Sequence, residues 1–263
     1  MALSCLKHNN SQRLKLSIMK ITKLLFTTGI LLGILILPSC LDDDDNNVNR
    51  YFPNALVTVK EAADETLFFQ LDENTTLLPV NITSHPFGSK EVRALVNYDE
   101  VDDPSQVYDK AVRVNWIDSI RTKPMAPNLG EENNDVYGND PVEIVADWVT
   151  IAEDGYLTLR FRTIWSHRGI THHVNLIPTN NPENPYEVEF KHDANGDVSG
   201  RVGDGLVAFR LDQLPDTEGE TVKLKLKWKS FNADKSAEFD YRTRAATPAT
   251  SAIAAERSVI PLQ

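Results

Sequence analysis

The chain has 263 residues, 38 of them acidic and 27 basic, giving a net charge of −11, and it carries two cysteines. So acidic a balance opposes binding to nucleic-acid phosphates, and two cysteines are too few to build a disulfide-stapled scaffold.

Lys20 and Lys23 precede an apolar run, Leu24 to Leu37, whose 14 residues fall short of the roughly 20 that span a bilayer. Residues 1–39 therefore read as a cleaved signal, with translation expected to start at Met19. The run ends in Leu37-Pro38-Ser39-Cys40, the pattern before which the bacterial lipoprotein signal peptidase cuts. Cys40 is expected to become the acylated mature N-terminus, which makes a membrane the first predicted partner. Asp42, Asp43, Asp44 and Asp45 follow at once; they resemble a surface-export signal and lie in a self-repelling acidic tether, 40–50. The predicted location is the outer membrane, lipid-anchored and exposed at the cell surface.

Cleavage leaves 224 residues and removes five cations (Lys7, Arg13, Lys15, Lys20, Lys23) and no acids, so the net charge moves to −16. It also leaves no free thiol. Stability must come from packing, and the length suffices for two cores of about 100 residues each.

From Tyr51 the hydrophobic pattern has period two, which predicts an all-β protein. Five strands are expected between 51 and 122: around Ala55–Val59, Leu67–Leu71, Thr76–Val80, Val92–Tyr98 and Ala111–Ile120. In the last, Val112, Val114, Trp116 and Ile120 are expected on one face. Five short strands suit a small OB-type barrel, although Ile82 to Lys90, with Pro86 and Gly88, reads as loop where that fold often has a helix. Residues 123–140, rich in Pro, Asn, Gly and Asp, read as a linker.

Strand patterning resumes over 141–243. Val142–Ile151 and Tyr156–Trp165 flank Glu153-Asp154-Gly155 and predict a hairpin; five further runs bring the count to seven, a two-sheet antiparallel sandwich. Asn195-Gly196 predicts a type I′ turn joining a second hairpin. Residues 244–263 read as a loosely ordered tail, with a helical turn or two over Ala252–Arg257.

The lipobox and aspartate run, the Phe52–Lys60 strand, Leu77-Leu78-Pro79-Val80, Ala146-Asp147-Trp148-Val149 and Tyr156-Leu157-Thr158-Leu159 together resemble the NigD-like lipoproteins of Bacteroidetes. That resemblance implies an N-terminal OB domain and a C-terminal β-sandwich. It implies no catalytic residues.

Few constellations carry chemistry. His167, His172, His173 and His192 raise a zinc site, but His172 and His173 are adjacent and point to opposite faces of a strand, so no metal site is predicted. Asp193, Asn195 and Asp197 imitate the opening of a calcium loop, yet its twelfth position holds Asp204 and not glutamate. Lys223, Lys225, Lys227 and Lys229 alternate with Val222, Leu224, Leu226 and Trp228; the cationic face reads as a solubilising one. Phe68, Tyr98 and Trp116 are candidates for an aromatic ligand platform on the barrel, and Ser119 in Asp118-Ser119-Ile120 for O-glycosylation. No phosphate loop or nucleophile elbow occurs.

These features predict a non-enzymatic surface lipoprotein without a cofactor, binding a glycan or a protein. An immunity protein that intercepts a bacteriocin is the alternative, and an envelope-polymer hydrolase a third reading.

Overall fold

The structure is a computed structural model that describes residues 48–88, 90–102, 107–166 and 169–244. The signal, Cys40, Asp42–Asp45, His167 and Ala252–Arg257 lie outside the described residues. Two all-β domains follow in order.

The first is a closed barrel of β1 (Ala55–Glu61), β2 (Leu67–Gln70), β3 (Thr76–Pro79), β4 (Val92–Val101) and β5 (Lys110–Ser119). Its strands run in the order β1-β2-β3-β5-β4, closed by β4 against β1, with β3 and β5 parallel. Val57, Val59, Leu67, Phe69, Leu77, Val96 and Val112 fill it. The connection from Pro79 to Val92 contains no helix among its described residues.

The expected face of β5 is broken. Trp116 pairs with Asn97 and Val114 with Tyr98, so Asn115 is an extra residue, a β-bulge. One inserted residue flips the alternation: Ile117, not Trp116, packs on the barrel core beyond it. Ile120 leaves the barrel and packs with Leu56, Tyr156 and Ala208.

The second domain is a two-sheet sandwich. One sheet has the order β6-β12-β9-β7, from Arg121–Pro124, Arg201–Arg210, Tyr156–Trp165 and Glu143–Ile144, with β8 (Ile151–Glu153) also on β9. The other has the order β10-β11-β13-β14, from His173–Pro178, Glu187–Asp193, Val222–Lys229 and Asp234–Tyr241. Among the described residues the sandwich thus has nine strands where alternation suggested seven, and two pairings, β6 with β12 and β11 with β13, are parallel. The core between the sheets includes Leu157, Leu159, Leu176, Phe190, Phe209, Leu224 and Leu226.

Residues 123–140 are not a free connection. β6 starts one residue after β5 ends, Met125 is buried in the sandwich core, and the short helix α1 (Asn133–Tyr137) packs on β10 and β11. Asn134 accepts from Lys191 at 2.7 Å, and Asp140 N–H donates to the His192 carbonyl at 2.8 Å. Composition marked this stretch as irregular; it could not show that irregular backbone would be bonded to strand edges.

The two predicted turns have different outcomes. Asp154 and Gly155, at φ 48° and 74°, make the two-residue hairpin between β8 and β9. Asn195 and Gly196 also have positive φ, 50° and 77°, and Asp197 N–H closes the turn on the Ala194 carbonyl. Yet β11 and β12 belong to different sheets, so the turn starts a crossover and not a hairpin. Arg244, assigned to the tail, bonds Glu91 at 2.6 Å; residues 245–263 lie outside the described residues.

The domains meet across β1 and β4 on one side and β8, β9 and β12 on the other. β1 is buried on both faces: Ala55, Val57 and Val59 point into the barrel, while Leu56, Thr58 and Lys60 face the sandwich. Arg93, fully buried, donates to Thr58 and to Glu153, each at 3.0 Å, and Glu91 joins Arg244 and the Tyr156 hydroxyl.

Candidate functional site

The edge strands β6 and β10 lie on the same side of the sandwich. At one end they are tied: Ala126 N–H donates to the Leu176 carbonyl at 2.8 Å. Lys123 then props the gap, its Nζ reaching the Val174 carbonyl at 2.5 Å and Asn175 Oδ1 at 2.9 Å. Toward Arg121 there is no further tie among the described residues, and the sheets part. The result is a cleft of about 660 Å³ lined by Arg121, Phe161, Trp165, His172, Val174 and Val207, with Gly169, Ile170 and Thr171 at the rim.

Local sequence explains this shape. Val207 pairs with Arg121 and Phe209 with Lys123, so the two cations and then Met125 stand on the side of β6 that faces the opposite sheet. β12 has glycines opposite the aromatic end of β9. A Cβ at Gly205 would lie 2.5 Å from the Phe161 ring, so only a residue without a side chain lets that ring lie across the strand as the cleft floor. At Gly203 the Trp165 ring would meet a Cβ at 3.6 Å, an ordinary contact.

Behind the cleft, three titratable groups form a chain. His172 Nε2 lies 3.2 Å from Asp197 Oδ2, and His172 Nδ1 lies 2.9 Å from His192 Nε2. The two imidazoles lie within 29° of parallel with centroids 5.1 Å apart, as an edge-to-edge N–H···N bond requires, and the Trp165 ring lies 5.5 Å from that of His172 at 22°. Assigned from this network, His172 donates from Nε2 to Asp197 and accepts at Nδ1 from His192, which leaves His192 Nδ1 as a buried lone pair without a partner. Hydrogen bonding from Ser166 and then from His172 holds the Asp197 carboxyl at about 2, below the ordinary 3.8. Burial, and then the neighbouring His172, pull His192 below its ordinary value, so it is held neutral. Neither imidazole has a hydroxyl within hydrogen-bond reach among the described residues; Ser166 Oγ is buried without a partner.

The charges at the mouth are unusual for an acidic chain. Arg121 is exposed, and its guanidinium has no carboxylate partner among the described residues. Lys123 has none either; burial and then Arg121 lower its pKa. Elsewhere in the sandwich Arg160 and Arg162 are paired with Asp204 and Lys225 with Glu187, while Arg201 and Lys229 are exposed without an ion pair among the described residues but do not line the cleft.

The residues singled out from sequence do not form one site. Phe68 is buried on the outer side of β2, opposite Lys60, its ring 5.7 Å from Tyr108. Tyr98 packs against the barrel core. Trp116, turned outward by the bulge, donates from Nε1 to the Arg50 carbonyl at 2.6 Å. It lies at the end of β1 where Ala55 pairs with Val96, while Phe68 lies at the other end. Ser119 is exposed at the end of β5.

His172 is turned in and His173 out, as adjacency requires. Asp193 caps Asn195 N–H while Asp197 points at His172, so these two carboxylates do not converge on one cation. No group of three His, Cys, Asp or Glu placed to hold a metal occurs among the described residues. Lys223 and Lys225 pair with Asp240 and Glu187 inside a four-stranded sheet; β13 is a central strand, not an edge.

Sequence reading missed the cleft because its walls come from four strands remote in the chain. The available signals were Arg121 and Lys123 at strand spacing before buried Met125, and two glycines, 203 and 205, within a long strand.

An OB barrel joined to a β-sandwich that opens at one edge defines a two-domain all-β protein. Residues 56–120 match the NigD-like N-terminal OB domain, and 124–241 match the NigD-like C-terminal beta sandwich domain. The chain belongs to the NigD-like family. Among solved structures it is similar to a protein of Parabacteroides distasonis described as toxin-related, at 33% identity and a TM-score of 0.61, covering 77% of this chain and 97% of that one. A Bacteroides vulgatus protein of unknown function is 22% identical, with a TM-score of 0.60 over 74% of this chain and 95% of that one. A NigD-like immunity protein of Bacteroides caccae is 21% identical, with a TM-score of 0.52 over 72% and 96%. The last two likenesses show the fold alone. No curated protein matches the chain.

Proposed function

We propose that the chain is a lipid-anchored, non-enzymatic recognition protein of the bacterial envelope, exposed on the outer membrane, that captures a ligand at the open end of its sandwich. The observation that carries this reading is the cleft itself: apolar walls and, among the described residues, an unpaired guanidinium at the mouth and no nucleophile beside the histidines. Cys40 supplies the anchor and Asp42–Asp45 the export signal. Tyr51 and Phe52, 79% and 66% exposed, follow the tether directly and suit a membrane-facing end of the barrel. Exposed Ser119 suits an O-linked glycan on the same domain. The net negative charge argues against nucleic acid as a partner.

The anchor has a direct test. Intact mass of the native protein should correspond to a chain beginning at an acylated Cys40, and protease added to whole cells should remove it. Recovery of Cys40→Ser in the same membrane fraction as the native chain would contradict the anchor.

A second reading takes support from the names of similar proteins, one toxin-related and one an immunity protein. In it the ligand is a bacteriocin intercepted at the envelope. Deletion of the gene should then sensitise cells to a toxin from a related strain; unchanged sensitivity would count against this second reading.

A further inference from the structure

Resting on the reading that the cleft is the ligand site, we infer that its ligand is a peptide segment whose apolar side chain enters between the sheets and whose carboxylate pairs with Arg121. Three observations carry this.

The first is charge. In a chain with 38 acids and 27 bases, a free cation beside a cleft stands out. Lys123, two residues along on the same side of β6, is held by the Val174 carbonyl and Asn175, so it fixes the sheet spacing and leaves Arg121, among the described lining residues, as the charged group open to a ligand. A guanidinium recognises carboxylate in a forked, bidentate geometry.

The second is the wall chemistry. Phe161, Val174 and Val207 offer no side-chain hydrogen bonds, and both ring nitrogens of His172 are engaged by Asp197 and His192. A sugar reaching past Thr171 at the rim would bury hydroxyls against these walls without side-chain partners, a cost of about 1–3 kcal/mol each for unsatisfied groups. One apolar side chain and one carboxylate match what the walls present.

The third is that the site is built. Gly205 is required for the position of the Phe161 ring on the floor, and the Asp197–His172–His192 chain fixes the ring that forms the back wall. Such a pocket is ordered before a ligand arrives, which lowers the entropic cost of binding.

The test is an NMR titration of the 15N-labelled mature chain carrying Cys40→Ser. The probes are N-acetylated tripeptides ending in Leu or Phe, each with a free carboxylate and again as the amide, beside a neutral trisaccharide and a uronic acid. The acid peptides should shift the resonances of Arg121, Phe161, Trp165, Val174 and Val207, and bind about tenfold more tightly than the amides. Arg121→Gln should erase the acid-over-amide preference, and Arg121→Lys should retain part of it. Equal binding of acid and amide, or no binding by any peptide, overturns the inference. Saccharide binding at these residues in place of peptide overturns it while leaving the cleft as the ligand site. Shifts confined to residues elsewhere count against both.

Discussion

Lys60 of the barrel and Asp154 of the sandwich meet at 2.8 Å, with side chains only 6% and 3% exposed. The relationship joins the two domains through a hairpin tip, since Asp154 occupies the first position of the turn between β8 and β9. Removing one member of a buried pair strands the other. Lys60→Met should therefore destabilise the chain by about 3 kcal/mol, because Arg244, at 3.8 Å, is the remaining cation beside Asp154. Pairing Lys60→Met with Asp154→Asn, which tolerates the positive φ, should recover most of that loss in urea denaturation.

Tyr156 lies at the same junction, fully buried, with its hydroxyl on Glu91. Burial and then that carboxylate push its pKa from 10 up to about 12. The folded state keeps the proton while the unfolded state loses it, so this contribution is complete below pH 10 and fades as the pH rises to 12. Tyr156→Phe should cost about 1–2 kcal/mol at neutral pH. Its stability should also fall less steeply than that of the wild type across the alkaline range, as read from chemical denaturation at stepped pH.

Asp197 predicts the opposite limb. Its carboxyl is held at about 2 against an ordinary 3.8, so the stability it provides is present above 3.8 and lost as the pH falls through 2. Urea midpoints of wild type and Asp197→Asn should differ most near neutrality and converge in acid. A constant gap across that window would show that the carboxylate is not the source.

Gly205→Ala tests how the cleft floor is built. The added Cβ would press on the Phe161 ring at 2.5 Å, and overpacking of this kind costs about 1–3 kcal/mol. The expected signature is a lowered thermal midpoint with shifted Phe161 and Val207 resonances. Gly203→Ala, where the nearest ring atom would be 3.6 Å away, should be far milder.

Alternation alone revealed the barrel and the sandwich because their inward faces carry apolar residues at period two, as in Val57 and Val59 or Leu224 and Leu226. It failed where a single residue changes parity: Asn115 has no local mark that distinguishes a bulge from an ordinary strand position. Nor does alternation mark Lys60 and Arg93 as buried, because what covers them is a second domain and not their own strand's neighbours. The turn at Asn195 was legible in its dihedral preference, yet its strands' sheet membership depends on pairings made elsewhere. The cleft was least legible, since Arg121, Phe161, Trp165, His172 and Val174 come together only when two sheets part at one edge.

Under the proposed function, the open end of the sandwich is where the chain meets its ligand. A photo-crosslinking residue placed at Ile170, on the exposed rim, tests it in living cells of the native bacterium, with the same residue at Trp148, exposed but outside the cleft, as control. A discrete adduct is expected from position 170, absent from position 148 and weakened by Arg121→Gln. No adduct at 170, or equal adducts from both positions, would contradict it.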